Sequence, residues 1–172
     1  IVASGERSAM PHGVASRHVI PADAPVVIDF GCIVEGYCSD QTITVATGRV
    51  GEEFEAAYAR VYEAQQKAIA ALAPGTAAAE VDKLARSHLN EHGLGAFFGH
   101  GLGHGVGREV HEAPSVSSRS EDVLAPGMVI TIEPGVYFPG RFGIRLEDCF
   151  VITDNSCQAL TNMAKGAILS IN

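Results

Sequence analysis

The order of hydrophobic patterns along the chain predicts an α+β fold in which helices pack on one face of an antiparallel sheet. Two β-branched runs, 26–30 (VVIDF) and 42–46 (TITVA), predict strands near the start of the chain. Two segments with apolar residues at helical spacing follow, and further strand-like runs come after them. A chain of 172 residues that is 47% hydrophobic fits one domain with a sizeable core, so we expect residues 1–172 to form a single domain.

The strand predictions depend on β-branched runs bounded by turn residues. Glycines at 31 and 36 separate the first two runs, which indicates two antiparallel strands with a connection. After the helices, the runs 127–138 (GMVITIEPGVYF) and 143–153 (GIRLEDCFVIT) each predict one strand. The run 167–171 (AILSI) predicts a short closing strand.

Helical spacing predicts the two helices. The first covers 52–72, and Pro74-Gly75 ends it. The second begins at a Thr76 cap and stops at Gly93, where a left-handed residue belongs. We interpret its apolar face as packed against the core; the face comprises Val81, Leu84, Ala85, His88 and Leu89.

Composition excludes several classes of partner and location. A net charge of −8, with 12 lysines and arginines that do not cluster, argues against nucleic acid. No apolar run approaches the roughly 20 residues of a membrane span, so we expect no membrane partner. The chain has four cysteines without Cys-x-x-Cys spacing, namely Cys32, Cys38, Cys149 and Cys157. We expect them to be ordinary thiols of a reducing compartment, and we therefore expect the protein to lie in the cytoplasm.

The stretch 99–114 (GHGLGHGVGREVHEAP) places His100, His104 and His111 among glycines. Each glycine costs a helix about 1 kcal/mol relative to alanine, so a helix is not expected here. We predict an extended or looping backbone that passes close to something, with imidazoles directed at it. The alternative is three unrelated histidines in a surface loop. His18 and His92 are interpreted as structural residues.

Four carboxylates stand where strands should be apolar. Asp29 interrupts the first strand, and a hairpin could place Asp40 beside it. Glu133 and Glu147 fall within later strand-like runs. Arg145 is two residues before Glu147 and therefore on the same face, so it could pair with Glu147 or with a substrate group. Each acid alone is compatible with a salt-bridged or edge residue. Together they need a compensating charge, because an unpaired buried carboxylate is very unfavourable.

The types of ligand atom indicate what kind of positive charge compensates these acids. An oxygen-rich set with one or two imidazoles suits a pair of divalent ions such as Mn²⁺, Co²⁺ or Zn²⁺. Two metals about 3.5 to 4 Å apart can hold a bridging hydroxide and polarise a carbonyl. Hydrolysis of an acyl or amide bond is therefore the expected reaction.

Five ordered motifs resemble the pita-bread metallopeptidases, specifically their branch of Xaa-Pro aminopeptidases and Xaa-Pro dipeptidases (prolidases). The motifs are SGERSAMPHG, VIDFG with GYCSDQT, GHGLGHGVGREVHEAP, PGMVITIEPGVYFPG and GIRLEDCFVIT. The resemblance runs nearly from end to end. It implies a pita-bread fold, with a curved antiparallel sheet and helices on its outer face.

The resemblance also implies the roles of particular residues. Two divalent ions, Mn²⁺ first and Co²⁺ or Zn²⁺ as alternatives, would be held by Asp29, Asp40, His104, Glu133 and Glu147. Catalysis would involve Glu133, His111, His100 and His12. Substrate would be bound by those three histidines and by the active-site arginine, Arg145.

The implied activity is exopeptidase hydrolysis of the Xaa-Pro bond, in dipeptides or at the start of longer peptides, by attack of a metal-bridging hydroxide. The expected partners are a peptide with proline second and, for the full-length protein, a second copy in a homodimer. Aminopeptidase and dipeptidase activity both stay open. Methionine aminopeptidase-like activity is one alternative, since that branch shares the scaffold and resembles VITDNSCQALT. A non-catalytic binding module is another, which the five ligands argue against.

Two features depart from the family pattern. Ile43 stands in SDQTITV where family members often have an arginine, so that arginine's role is left open. Family members also carry an amino-terminal domain and the first elements of the catalytic fold ahead of SGERSAMPHG. We therefore expect this chain to be a part of the catalytic domain that is weak or inactive as an isolated enzyme.

Overall fold

The structure is a computed structural model that describes residues 1–14 and 16–171. These residues contain two α-helices, α1 (Glu52–Ile69) and α2 (Ala78–Glu91), with short 3₁₀ helices at Gly5–Ala9 and Gly95–Phe97. The strands are β1 (Val2–Ser4), β2 (Pro25–Phe30), β3 (Ile33–Val34), β4 (Tyr37–Cys38), β5 (Gln41–Ala46), β6 (Gly103–Gly105), β7 (Glu112–Val116), β8 (Val129–Ile132), β9 (Gly135–Phe138), β10 (Phe142–Arg145), β11 (Asp148–Ile152) and β12 (Cys157–Ala159). The α+β prediction is confirmed.

All strand pairs are antiparallel. β1, β2 and β5 form one sheet, and a second has the order β12-β11-β8-β6-β7. β9 pairs with β10, and β3 with β4. The main core lies between the two helices and the five-stranded sheet, where Val61, Leu89, Ile130 and Ile132 are fully buried. Neither helix in the described part of the chain is long and apolar enough to cross a membrane.

The helix boundaries differ from the prediction in two places. α1 ends at Ile69 rather than at 72, because the chain tightens into turns in which the Leu72 N–H donates to the Ile69 carbonyl. The predicted Thr76 cap is wrong. Its hydroxyl donates to the Ala71 carbonyl, and the Ala78 N–H is satisfied by the carbonyl of Asp122 instead.

The prediction is also wrong for one position on the apolar face of α2. Leu84 is 36% exposed, whereas Asp82 is fully buried. The polar residue can turn inward because Arg86, one helical turn later, forms an ion pair with it at 2.7 Å. His88 is packed as predicted, with 6% of its surface exposed.

The two long strands predicted in the second half are each broken in two. The run 127–138 forms β8 and β9, and the run 143–153 forms β10 and β11. At the first break the chain leaves the five-stranded sheet for the β9–β10 pair, and at the second it returns to the five-stranded sheet. The predicted closing strand at 167–171 is a single parallel bridge between Ala46 and Ser170. The four cysteines are free thiols.

Candidate metal centre

The β2–β5 pair supplies the two aspartates. Asp29 lies in β2 opposite Thr42 of β5, and Asp40 stands immediately before β5. The intervening chain, which contains β3 and β4, therefore returns Asp40 to the same end of the pair as Asp29. Asp40 is only 9% exposed, so its carboxylate is largely removed from water.

The two glutamates occupy the breaks between strands. Glu133 follows β8 and Glu147 follows β10. The Glu133 N–H donates to the carbonyl of Leu102 at 2.8 Å, and the Glu147 N–H donates to that of Thr42 at 3.0 Å. These main-chain bonds tie one break to the chain entering β6 and the other to β5, so both carboxylates reach the aspartate pair.

His104 is the middle residue of β6, and the glycines around it are required by close backbone approach. A Cβ on Gly103 would collide with the carbonyl oxygen of Thr131 on one neighbouring strand. A Cβ on Gly105 would collide with the carbonyl of Ala113 on the other. The prediction of an extended backbone that passes close to its neighbours is confirmed here.

Helix α2 fixes the chain that leads into β6. The buried carboxylate of Asp82 accepts two hydrogen bonds from Arg86, at 2.8 and 2.7 Å, and one from the Leu102 N–H at 3.2 Å. Arg86 in turn donates to the carbonyls of Phe98 and His100, at 3.1 and 2.9 Å. The glycine-rich segment is therefore held in place by a buried ion pair.

The structure brings together all five side chains that the sequence assigns to metal, on the wall of a cleft of about 1180 Å³. Overlapping groups of three each offer one ligand atom within 4.8 Å of the others. The groups are Asp29, Asp40 and Glu147; His104, Glu133 and Glu147; and Asp40, His104 and His111. His111, expected on the substrate side, thus also lies at the edge of the ligand cluster.

The hydrogen bonds of His104 define which ring nitrogen is available. Nδ1 lies 3.0 Å from the carbonyl oxygen of Gly105, which can only accept, so Nδ1 carries the proton. Burial lowers the pKa of His104, which favours the neutral ring. The lone pair on Nε2 then faces Glu133 at 3.4 Å and Asp40 at 3.8 Å. This arrangement is repulsive by itself and becomes favourable when a cation binds between the three groups.

The carboxylates are crowded enough to hold protons unusually tightly. Burial, followed by the charge of Asp40, raises the pKa of Glu147 to about 8. Burial and the charge of Glu147 raise the pKa of Glu133 well above its ordinary value. The pKa of Asp40 is raised by burial and by Asp29. The cluster therefore attracts positive charge.

Arg145 is buried and pairs with Asp29 rather than directly with Glu147. Its Nε donates to the hydroxyl of Thr42 at 3.2 Å, and that hydroxyl donates to Glu147 at 2.6 Å. Nη1 donates to the Tyr137 hydroxyl at 3.0 Å. The guanidinium thus orients two members of the acidic cluster, one directly and one through a threonine.

His100 is held by two partners. Its Nδ1 donates to the Gly101 carbonyl at 2.7 Å, so its Nε2 accepts from the Tyr137 hydroxyl at 3.1 Å. Burial lowers the pKa of His100 to about 4, and the ring is neutral. His12 and His111 also line the cleft, and both are exposed. These two are the histidines with freedom to meet a substrate.

Sequence reasoning missed four residues that support the cluster: Thr42, Tyr137, Gln65 and Asp148. Thr42 could have been found, since it lies opposite Asp29 in the predicted strand pair. Gln65 also left a signal, because it is a polar residue four positions after Val61 on the apolar face of α1. The contacts of Tyr137 and Asp148 depend on sheet breaks that the pattern did not predict.

The donor set fits divalent metal ions. Four carboxylates and one neutral imidazole suit hard or borderline ions, and they are unsuited to thiolate-type sites. The imidazole is supported through its second nitrogen by a backbone carbonyl, as is usual for metal-binding histidines. Only one buried cation, Arg145, faces the acidic cluster in the described residues.

Comparison with known proteins gives a consistent result. Residues 1–154 match metallopeptidase family M24. The chain is 49% identical over 168 residues to the Xaa-Pro dipeptidase of Pyrococcus horikoshii. This matched region covers 98% of this chain and 48% of that protein. It is also similar to the crystal structure of X-Pro aminopeptidase from Thermotoga maritima, with a TM-score of 0.96, 43% identity, and coverage of 99% of this chain and 48% of that one.

A third comparison, with prolidase from Pyrococcus furiosus, has a TM-score of 0.94 at 48% identity and covers 95% of this chain and 49% of that chain. The chain thus spans about half the length of the curated relatives it matches. The family match covers most of the sequence, and the structural likeness extends over nearly all of it. The chain therefore belongs to metallopeptidase family M24 and has the pita-bread fold of the prolidases and X-Pro aminopeptidases.

Proposed function

We propose that the protein is a dinuclear metal-dependent exopeptidase that hydrolyses Xaa-Pro bonds, and that residues 1–172 carry its catalytic residues. The observation that supports this most strongly is the orientation of His104, whose Nε2 lone pair faces the carboxylates of Glu133 and Asp40. The names of the relatives supply the substrate class, a peptide with proline in second position.

The metal ligands would be Asp29, Asp40, His104, Glu133 and Glu147. Mn²⁺ is the ion we favour because oxygen donors predominate, with Co²⁺ or Zn²⁺ as alternatives. When bound, two such ions would activate water and polarise the scissile carbonyl.

Glu133 would move the proton. Its carboxylate lies 3.4 Å from His104 and within ligand distance of Glu147, and in the metal-free cluster burial raises its pKa, which favours uptake of a proton. It would take a proton from the attacking water and pass it to the leaving nitrogen of the proline. Such a general acid–base role contributes about 10² to 10⁴ in rate.

The cleft histidines would act on the substrate. His111 and His12 are exposed in the cleft and can donate to the carbonyl oxygen as negative charge develops on it. His100 would contribute through Tyr137, since both of its ring nitrogens are already engaged. Arg145 would keep Asp29 oriented while the substrate is bound.

Hydrolysis assays on the metal-depleted and Mn²⁺-loaded full-length protein test this function. The substrates are an Xaa-Pro dipeptide, a longer Xaa-Pro peptide and the matching Xaa-Ala peptides. We expect Mn²⁺-dependent release of the first residue from Xaa-Pro substrates only. The variant Asp40→Ala should lose this activity, whereas Glu55→Gln, which removes an exposed acid on α1, should keep it. Hydrolysis that survives complete metal depletion would refute the proposal, as would a fully loaded protein that cleaves no Xaa-Pro substrate.

A further inference from the structure

We propose that α1 and α2 form a second, independent site for a divalent transition metal, built from Glu63, His88 and His92. One ligand atom from each of the three lies within 4.8 Å of the others. None of the three is among the residues that line the cleft, within the part of the chain that the structure describes. The site goes beyond the proposed peptidase function and does not depend on it.

The geometry comes from helix pairing. His88 and His92 are four residues apart on α2, so they occupy one face, and their ring centroids are 4.5 Å apart. Glu63 reaches them from α1, with its Oε2 3.0 Å from Nε2 of His88. Two imidazoles and one carboxylate on rigid elements are a common ligand set for zinc, with water completing the coordination.

The hydrogen bonds of His92 prepare it for metal binding. Its Nδ1 lies 2.8 Å from the carbonyl oxygen of His88, so Nδ1 is the protonated nitrogen. Nε2 is then left with its lone pair. Histidines that bind metals usually donate their other N–H to such an acceptor, which fixes the ring and its tautomer.

His88 also has the neutral ring that metal binding requires. Its side chain is only 7% exposed, and burial, followed by the charge of His92, lowers its pKa. The ring is therefore neutral at neutral pH, with its proton on Nε2, which donates to the ionised Glu63. Binding of a metal through Nε2 requires this proton to move to Nδ1, a change of tautomer that needs no change in the charge of the ring. The sequence-based interpretation of His88 as a packed residue is correct, but packing alone does not explain its contact with Glu63.

Nearby positive charge limits the affinity. Arg60 pairs with the same Glu63 oxygen at 2.7 Å, and Lys67 disfavours positive charge on His88. A metal would have to displace Arg60 or bind through the second carboxylate oxygen. We therefore expect micromolar rather than nanomolar binding, and a preference for Zn²⁺ over Mn²⁺ because two of the three ligands are imidazoles.

Titration with Zn²⁺ tests the site, using calorimetry and thermal unfolding of a protein whose cleft is disabled by His104→Ala and Glu147→Ala. We expect one Zn²⁺ per chain and an increase in Tm, because the ion would join α1 to α2. Adding His92→Ala, a change at an exposed position, should weaken Zn²⁺ binding by about tenfold or more and remove the Tm increase.

The matched control is His18→Ala, which removes an exposed histidine elsewhere and should leave Zn²⁺ binding unchanged. Glu63→Gln provides a second test from the other helix and should also weaken binding. If His92→Ala and Glu63→Gln bind Zn²⁺ with the stoichiometry and affinity of their parent, the proposal is wrong.

Discussion

The side-chain amide of Gln65 on α1 lies 3.2 Å from the carboxylate of Asp148, the residue that follows Glu147. The same nitrogen lies 3.2 Å from the carbonyl oxygens of Ile132 and Leu146, the residues that precede the two glutamates of the cluster. A single buried amide thus ties together both strand breaks from which the glutamates project.

Replacing Gln65 by leucine should destabilise the fold and loosen the metal centre together. Leucine keeps the volume but leaves buried acceptors without a donor, which costs about 1 to 3 kcal/mol. Urea unfolding should report this loss, and calorimetry should show weaker Mn²⁺ binding. Gln66→Leu makes the same chemical change at the next, exposed position and should alter neither quantity. Equal Mn²⁺ affinity in the two variants would show that Gln65 does not position the glutamates.

Glu133→Gln should separate proton transfer from metal binding. The amide keeps one oxygen donor but cannot accept the proton of the attacking water, so kcat should fall by about 10² to 10⁴. We expect metal analysis to find Mn²⁺ still bound, with reduced affinity. Unchanged turnover in the metal-loaded variant would exclude Glu133 as the base.

His111→Ala should reduce kcat while metal stoichiometry is retained. A donor to a developing oxyanion is typically worth about 2.7 to 4 kcal/mol, a hundredfold or more in rate. His111 also lies within ligand distance of Asp40 and His104, so the experiment decides between two roles. Loss of one bound metal would instead identify His111 as a ligand.

The metal-free protein should become less stable as pH rises. Glu147 has a pKa of about 8 in the folded chain against an ordinary value of 4.5, so the folded state binds its proton more tightly than the unfolded state does. The contribution of Glu147 to the free energy of unfolding is complete below about pH 4.5 and is lost as pH rises through 8. The free energy of unfolding falls over this range by at most about 1.4 kcal/mol per pH unit.

Urea unfolding in a chelator between pH 5 and 8 measures this trend, and Glu147→Gln isolates it. The variant should lose less stability over that range than the wild type. Saturating Mn²⁺ should remove the wild-type loss, because the ionised carboxylates then have a counter-charge. Parallel pH profiles for the two chelated proteins would contradict the assignment.

The sequence was most informative where local chemistry is unusual. Carboxylates in apolar runs and histidines among glycines indicated the segments that converge in the structure, because neither pattern suits an ordinary core, and the family resemblance singled out His104 among the three histidines. The fold class followed from hydrophobic periodicity. Hydrophobic periodicity could not predict that Leu84 lies on the exposed side of α2, since that depends on the ion pair between Asp82 and Arg86.

Local sequence patterns could not predict contacts between segments that are far apart in the sequence. The strand breaks at Glu133 and Glu147 depend on main-chain bonds to Leu102 and Thr42, which are far away in sequence. Arg145 pairs with Asp29, 116 positions away, whereas its sequence spacing had indicated Glu147 or a substrate group as the partner. Such choices are made by tertiary packing, which overrides local spacing.

Electron paramagnetic resonance of the Mn²⁺-titrated protein tests the dinuclear centre most directly. Two Mn²⁺ ions about 3.5 to 4 Å apart are magnetically coupled, and isolated ions are not. We predict a coupled spectrum as the second equivalent binds, in step with the appearance of Xaa-Pro hydrolysis, and its loss in Glu147→Ala. Spectra of isolated Mn²⁺ alone throughout the titration, or a coupled signal that Glu147→Ala leaves intact, would contradict the proposed site.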